Sequence, residues 1–348
     1  FGVPVEAFHR LIDGHATMRV TAVGVVPIVN DGGDDMDRAL EALPSDAELQ
    51  ELSASGRGLS RPELAVLLSY AKIALQQDVL ASPVPDEPLL DSWLMDYFPS
   101  ELRERFGGDI EKHSLRREIV ATSLTNAVLN RGGPAMAVRL ADETRCTPAD
   151  VALAFLATRE VFDLPQLWQR IDALDGRVQG EAQLRLYEAT QDLVNAQTQW
   201  FLRDGTVLGD LAGTIVRHAA GLAELKAELA NILPPRRKSG LEREARRLAE
   251  GGVPADLAAD IARLDVLGEA PAITQIAQVT GRPMPETARI FLEIGEDLRI
   301  PDLAAKGAAI ASSDQYDRLA IAQAIGQIAA AQAAFTRSAI AAGGTDAW

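Results

Sequence analysis

Cysteine occurs once in this 348-residue chain, at Cys146, so no disulfide can form within it. Aromatic residues are scarce as well, at 5% of the chain against 47% hydrophobic residues overall, which leaves Ala, Leu, Ile and Val to build the core. Small and aliphatic side chains of this kind favour closely packed helices. No run of about 18 uninterrupted apolar residues exists to span a bilayer. Positive charge is in deficit: 34 Lys and Arg face 50 Asp and Glu, and the resulting charge of −16 repels phosphate backbones and anionic membrane surfaces. Neither nucleic acid nor membrane is expected as a partner, and a reducing cytoplasm suits the lone thiol. The run from Val20 to Val29 has no basic lead and no small-residue cleavage site, so the chain reads as untargeted.

What is present is helical punctuation. Val20–Val29 is the only strand candidate, confined to an edge by Pro27, and everything after Asp35 reads as helix. Ser60-Arg61-Pro62-Glu63 is a capping box, with Pro62 where a missing N–H costs nothing. Leu64, Leu67, Leu68, Ala71, Leu75 and Val79 then recur on one helical face, with Lys72 and Gln76 on the other. The same start signal precedes apolar runs at Thr147-Pro148-Ala149-Asp150, Asp163-Leu164-Pro165-Gln166 and Ser312-Ser313-Asp314-Gln315. Gly132-Gly133-Pro134, Gly205, Gly251-Gly252 and Gly281 read as stops. Pro234 to Gly240, with two prolines and the charge run Arg236-Arg237-Lys238, reads as a linker.

A weak internal repeat joins the halves. Phe155-Leu156, Glu160, Leu164-Pro165 and Leu167 match Phe291-Leu292, Glu296, Ile300-Pro301 and Leu303 at one constant offset. At nearly the same offset Pro134 answers Pro271, and Ala196-Gln197 and Trp200 answer Ala331-Gln332 and Phe335. The expected architecture is therefore an all-α multi-helix bundle of two related helical subdomains with at most one edge strand. Its divisions are a divergent segment 1–34, a first subdomain 35–233, the linker 234–240 and a second subdomain 241–348.

Each candidate for chemistry fails on a named residue. A nucleotide site needs a Gly-rich turn between strand and helix. Gly56-Arg57-Gly58 has no preceding strand, and Gly-Lys-Ser/Thr is absent. An EF-hand starting at Asp31 would need a carboxylate where Ala42 stands, and Arg38 occupies the last Asp of a prenyl-transferase-type Asp-rich motif. His9, His15, His113 and His218 show no metal-ligand spacing, His113 instead suiting a cap beside the following basic helix. Cys146 precedes the Thr147 cap, where a helix N-terminus lowers a thiol's pKa, against the plainer reading of a small packed residue. Trp93, Tyr97 and Phe98 suit core anchors better than a ligand cage, and Arg116-Arg117 and Arg236-Arg237-Lys238 read mostly as solvated faces. No catalytic, cofactor-binding or metal-binding residue is expected within the chain. The candidate contact surface is Asn130, Arg131, Gly132 and Gly133, where a double-Gly helix break admits a neighbouring backbone and Arg131 offers a bidentate donor, unless this is a packed corner with Arg131 in solvent.

Several runs point to one family. They are Asp37-Arg38-Ala39-Leu40-Glu41 to Leu43-Pro44, Gly56 through Lys72, Asp96-Tyr97-Phe98-Pro99, His113 through Ile119, Asn130 through Pro134, and Arg159 through Leu164. In order and spacing, from Asp37 to about Trp200, the chain resembles the C-terminal region of the large bacterial NAD-dependent glutamate dehydrogenases, while residues 1 to about 34 depart from that pattern. The resemblance implies a cytoplasmic homo-oligomer, a tetramer, whose whole polypeptide oxidises L-glutamate to 2-oxoglutarate and ammonia with NAD. It also implies that the catalytic domain and its NAD site lie upstream and that this segment has a structural or regulatory part. The competing reading is a free-standing helical repeat module that binds a partner protein.

Overall fold

The computed structural model describes residues 19–21, 24–26, 40–55, 57–310 and 315–343. The β-rich run near the start is not a single edge strand. It is an antiparallel pair, β1 (Arg19–Thr21) with β2 (Gly24–Val26), in the register Arg19 to Val26 and Thr21 to Gly24. A lone strand leaves its ladder groups without partners, and doubling back supplies them. All other regular structure among the described residues is helical, as composition and capping signals required.

Six helices lead the chain: α1 (Asp46–Ala54), α2 (Arg61–Leu80), α3 (Asp91–Asp96), α4 (Ser100–Ile110), α5 (Arg116–Gly132) and α6 (Met136–Thr144). The predicted box starts α2, with the Ser60 N–H donating to the Glu63 carboxylate. An unforeseen box starts α1, where the Ser45 N–H and hydroxyl both donate to Glu48 at 2.7 Å. Helix α2 buries Leu67, Ala71, Leu75 and Val79, the inner part of the predicted stripe, and packs on α5. Full burial of a Leu or Val side chain contributes about 1.5–3 kcal/mol, so this stripe holds the helix in place. Gln76, assigned to the outer face, instead donates to Thr122 Oγ1 on α5 at 2.7 Å.

Ten helices follow: α7 (Pro148–Val161), α8 (Leu164–Asp172), α9 (Gly180–Asp204), α10 (Leu211–Ile232), α11 (Pro235–Glu250), α12 (Ala255–Leu267), α13 (Ala270–Thr280), α14 (Met284–Asp297), α15 (Ile300–Ala308) and α16 (Gln315–Ala341). The box before α7 is complete, because the Thr147 N–H donates to Asp150 at 2.8 Å and the Asp150 N–H to Thr147 Oγ1 at 3.1 Å. Helix α8 begins where expected but by another device: Asp163 adopts the left-handed conformation (φ 49°) and makes no side-chain cap. Asp210 caps α10 by accepting from the Gly213 N–H at 2.8 Å, and Ser312 to Asp314 lie outside the described residues.

The stretch 234–240 is not a linker. Pro235 is the first residue of α11, and the basic run winds through that helix's opening turns. Prolines break a helix interior, but the first turn has no partner for their missing N–H groups, so here they start one. The chain folds as two compact units, residues 1–156 with 198–209 and residues 157–197 with 210–348, and the divisions at 156/157 and 197/198 fall inside α7 and α9. In the first unit α5 is the centre, covered by α2 and α3. In the second, α10 packs on α13 and α14, α16 on α14 and α15, and α11 on α12.

The duplication is plain in the helix bounds. Helix α14 repeats α7 and α15 repeats α8 with every end displaced by 136 positions: 148 to 284, 161 to 297, 164 to 300 and 172 to 308. Even the left-handed non-glycine residues coincide, Asp163 at φ 49° with Arg299 at φ 53°. Phe155, Leu156, Phe291 and Leu292 are all buried, as are Gln197 and Gln332.

Candidate functional surfaces

The double-glycine corner is built by its own chain. Helix α5 ends at Gly132, and Gly133 (φ 96°) occupies a conformation that glycine alone adopts without strain. Gly132 is buried because a Cβ there would overlap the Met136 side chain, so the space a second backbone was expected to use is filled by α6. Asn130 is exposed, and Arg131 is half-buried rather than free in solvent. The repeat has an equivalent corner at Gly268, where a Cβ would meet Gln197 Nε2 at 3.1 Å.

The basic runs are engaged rather than merely solvated. Arg117 donates to the carbonyls of Leu80 and Ser82 at 2.9 Å each, neutralising the C-terminal end of α2, and also pairs with Asp86. Arg116 donates to the Pro85 carbonyl and pairs with Asp91. Arg237 forms a bidentate pair with Glu269 at 2.8 and 2.7 Å, and Arg236 reaches Asp302 at 3.0 Å. A proline-started helix that points its first cations at acidic residues of other helices is what a linker reading of composition misses.

The remaining sequence candidates resolve one by one. His113 Nδ1 accepts the Leu115 N–H at 3.1 Å just ahead of α5, a turn contact two residues along the chain and not a cap of the helix itself. Tyr97 is 60% exposed and no core anchor, that place being taken by Leu94 at 1%. Phe98, partly buried, meets Tyr97 edge-on with ring centres 5.4 Å apart and His113 at a tilt with 5.7 Å between centres. The Cys146 thiol is half-buried and directed at the Thr144 carbonyl, 3.8 Å away. His218 is buried within α10, while His9, His15 and the acidic loop 30–37 lie outside the described residues. Among the described residues no group of three or more His, Cys, Asp or Glu side chains is placed to hold a metal ion, and no helix is long and apolar enough to cross a membrane.

Perturbed acids have local causes on separate helices. Burial pushes the Asp78, Asp142 and Asp192 carboxyls up, with Glu143 adding to the second and Glu188 to the third. Burial also raises Glu269 despite Arg237. Asp256 is held low first by the Leu257 N–H and then by Arg170, and Asp302 is held low by Arg236. The structure adds two surfaces that periodicity did not mark. One is α4, which kinks at Phe106 and leaves Leu102 and Phe106, four residues apart, 42% and 43% exposed. The other is a cleft among α8, α10, α11 and α12.

The model of the family described as glutamate dehydrogenase, C-terminal, matches residues 56–347. The chain belongs to this family. Among curated relatives, the NAD-specific glutamate dehydrogenase of Halomonas elongata is 37% identical over 266 residues, covering 76% of this chain and 16% of that protein. That of Pseudomonas aeruginosa is 35% identical over 263 residues, with the same coverage. That of Mycobacterium tuberculosis is 36% identical over 223 residues, 64% of this chain and 14% of that protein. The chain thus spans about one-sixth of the length of the relatives it matches. The match covers the quoted runs from Gly56 onward, leaves Asp37 to Pro44 outside it, and extends past them to include the second copy of the repeat, where the resemblance is fainter.

Proposed function

We propose that this chain is the C-terminal helical module of an NAD-specific glutamate dehydrogenase, which supports the catalytic part of the polypeptide and its oligomer and does not itself carry the chemistry. The single observation behind the reading is the family match across residues 56–347, joined by relatives named as NAD-specific glutamate dehydrogenases. On this reading the whole enzyme oxidises L-glutamate to 2-oxoglutarate and ammonia with NAD in the cytoplasm, as a homo-tetramer. NAD and glutamate are held upstream of the segment, and the module also carries regulation. The polar side chains described above serve caps, ion pairs and helix ends, which suits a rigid support. The exposed apolar pair Leu102 and Phe106 on α4, with Asn130 and Arg131 at the double-glycine corner, is the surface this reading assigns to the rest of the polypeptide. Family membership disfavours the free-standing repeat module.

Deleting the equivalent of residues 56–347 from a full-length relative tests the reading. Light scattering should report loss of the tetramer, and NAD-dependent glutamate oxidation should fall; an intact tetramer with normal turnover refutes a supporting role. Calorimetry on the 348-residue chain should show no heat with NAD or glutamate, and tight binding of either would place a site within it.

A further inference from the structure

The second unit contains a cleft of about 460 Å³, within the range of small-molecule sites. Its apolar wall is built from four helices: Leu167 of α8, Leu229 of α10 with Leu233 just past its end, Leu241 of α11, and Leu264 and Leu267 of α12. Its charged lining reverses the sign of the molecule. Lys226, Lys238, Arg170 and Arg263 contribute four cations against the three carboxylates of Asp163, Glu242 and Asp260, in a chain whose net charge is −16. The acids are also unevenly committed. Asp260 is shared by Arg170 at 2.6 Å and Arg263 at 3.7 Å, and Arg170 takes Asp256 as well.

Lys226 and Lys238 are left over. No ion pair to a described carboxylate within 4.0 Å engages either, although both line the same cleft. Their own helices explain this. Lys226 has Leu222 and Ala230 at the i−4 and i+4 positions, and Lys238 precedes Glu242 by four residues, the weaker orientation for a helical pair. Both side chains are exposed, so two ammonium groups face water beside an aliphatic cleft.

We propose that this cleft binds a small organic anion with an apolar body, its carboxylate or phosphate meeting Lys226 and Lys238 and its hydrocarbon lying on the leucine wall. This site is separate from the support role assigned above. Titration calorimetry on the whole 348-residue chain with octanoate, octyl phosphate and octylammonium tests it, the first two distinguishing a carboxylate from a phosphate source. At least one anion should bind with a Kd at least tenfold below that of octylammonium. The double variant Lys226→Gln/Lys238→Gln, with both changes on exposed side chains, should weaken anion binding about tenfold or more, corresponding to loss of one or two charge-assisted contacts. Arg243→Gln, on α11 but outside the cleft, should leave it unchanged. Ala230→Trp, which fills the cleft and keeps both lysines, should abolish binding while circular dichroism shows the helices intact. Absence of anion binding to the unaltered chain, equal affinity for octylammonium, or wild-type affinity in either cleft variant overturns the proposal.

Discussion

Helices α8 and α15 are the same element used twice, with the same length, the same left-handed entry and the same proline in the first turn, yet they meet the protein differently. Helix α8 buries Leu164, Leu167, Trp168 and Ile171. At the corresponding positions α15 has Ile300, Leu303, Ala304 and Gly307, and Leu303 is 46% exposed. In exchange its small residues let the neighbouring helix close in, and a Cβ at Gly307 would lie 3.0 Å from Ile325 of α16. The first copy is held by side-chain volume and the second by backbone proximity. A repeat therefore conserves the path of the chain more strictly than the means of holding it.

The largest expected difference comes from removing volume. Trp168→Ala should cost about 3–5 kcal/mol in denaturant unfolding, whereas Leu303→Ala should stay within about 1 kcal/mol. Equal costs would erase the contrast. At the aligned positions Gly307 and Ile171 the order should reverse, volume being added at the first and one methylene removed at the second. Gly307→Val forces Ile325 aside for about 1–3 kcal/mol, while Ile171→Val in α8 costs about 0.5–1.5 kcal/mol.

A smaller, pH-dependent difference belongs to the corners, where Glu269 in the second copy stands at the position of Gly133 in the first. Burial raises the folded Glu269 carboxyl above its ordinary value of 4.5, so the folded state holds that proton more tightly than the unfolded state. Stability therefore falls as pH rises from that ordinary value to the raised one. Glu269→Gln should flatten this part of the pH–stability curve; an unchanged slope counts against the assignment. The smallest effect is at the surface. Arg236→Gln, which breaks the exposed pair with Asp302, should lower stability less than any of these changes, because water screens the pair. Because Arg236 depresses the Asp302 carboxyl below 3.8, its contribution is present above that pH and is lost as pH falls through the depressed value. A loss that persists in strong acid would show that Arg236 acts through packing instead.

Much of this was legible in the sequence, for reasons specific to each residue. Capping boxes are local codes, so Thr147 and Asp150 announced α7 directly. The repeat was visible because Phe155-Leu156 and Phe291-Leu292 are core pairs under the same constraint. Failures arose where one residue has two uses. Pro234-Pro235 breaks or begins a helix according to which turn it occupies, and Arg237 reads as solvated until Glu269, 32 residues away, is brought to it. Tyr97 obeyed a helical period and still faced outward, because Leu94 filled the place beneath it. The cleft was beyond reach, since Lys226 and Lys238 become a pair only after α8, α10, α11 and α12 have assembled.

The left-handed residues Asp163 and Arg299 have a mechanical consequence. A side chain in that conformation costs roughly 1–2 kcal/mol that glycine would avoid, but glycine would also open the joint to many angles. With only two residues between α7 and α8, and two between α14 and α15, each pair is a stiff bracket. A push on one arm of such a bracket arrives at the tip of the other instead of being absorbed at the elbow.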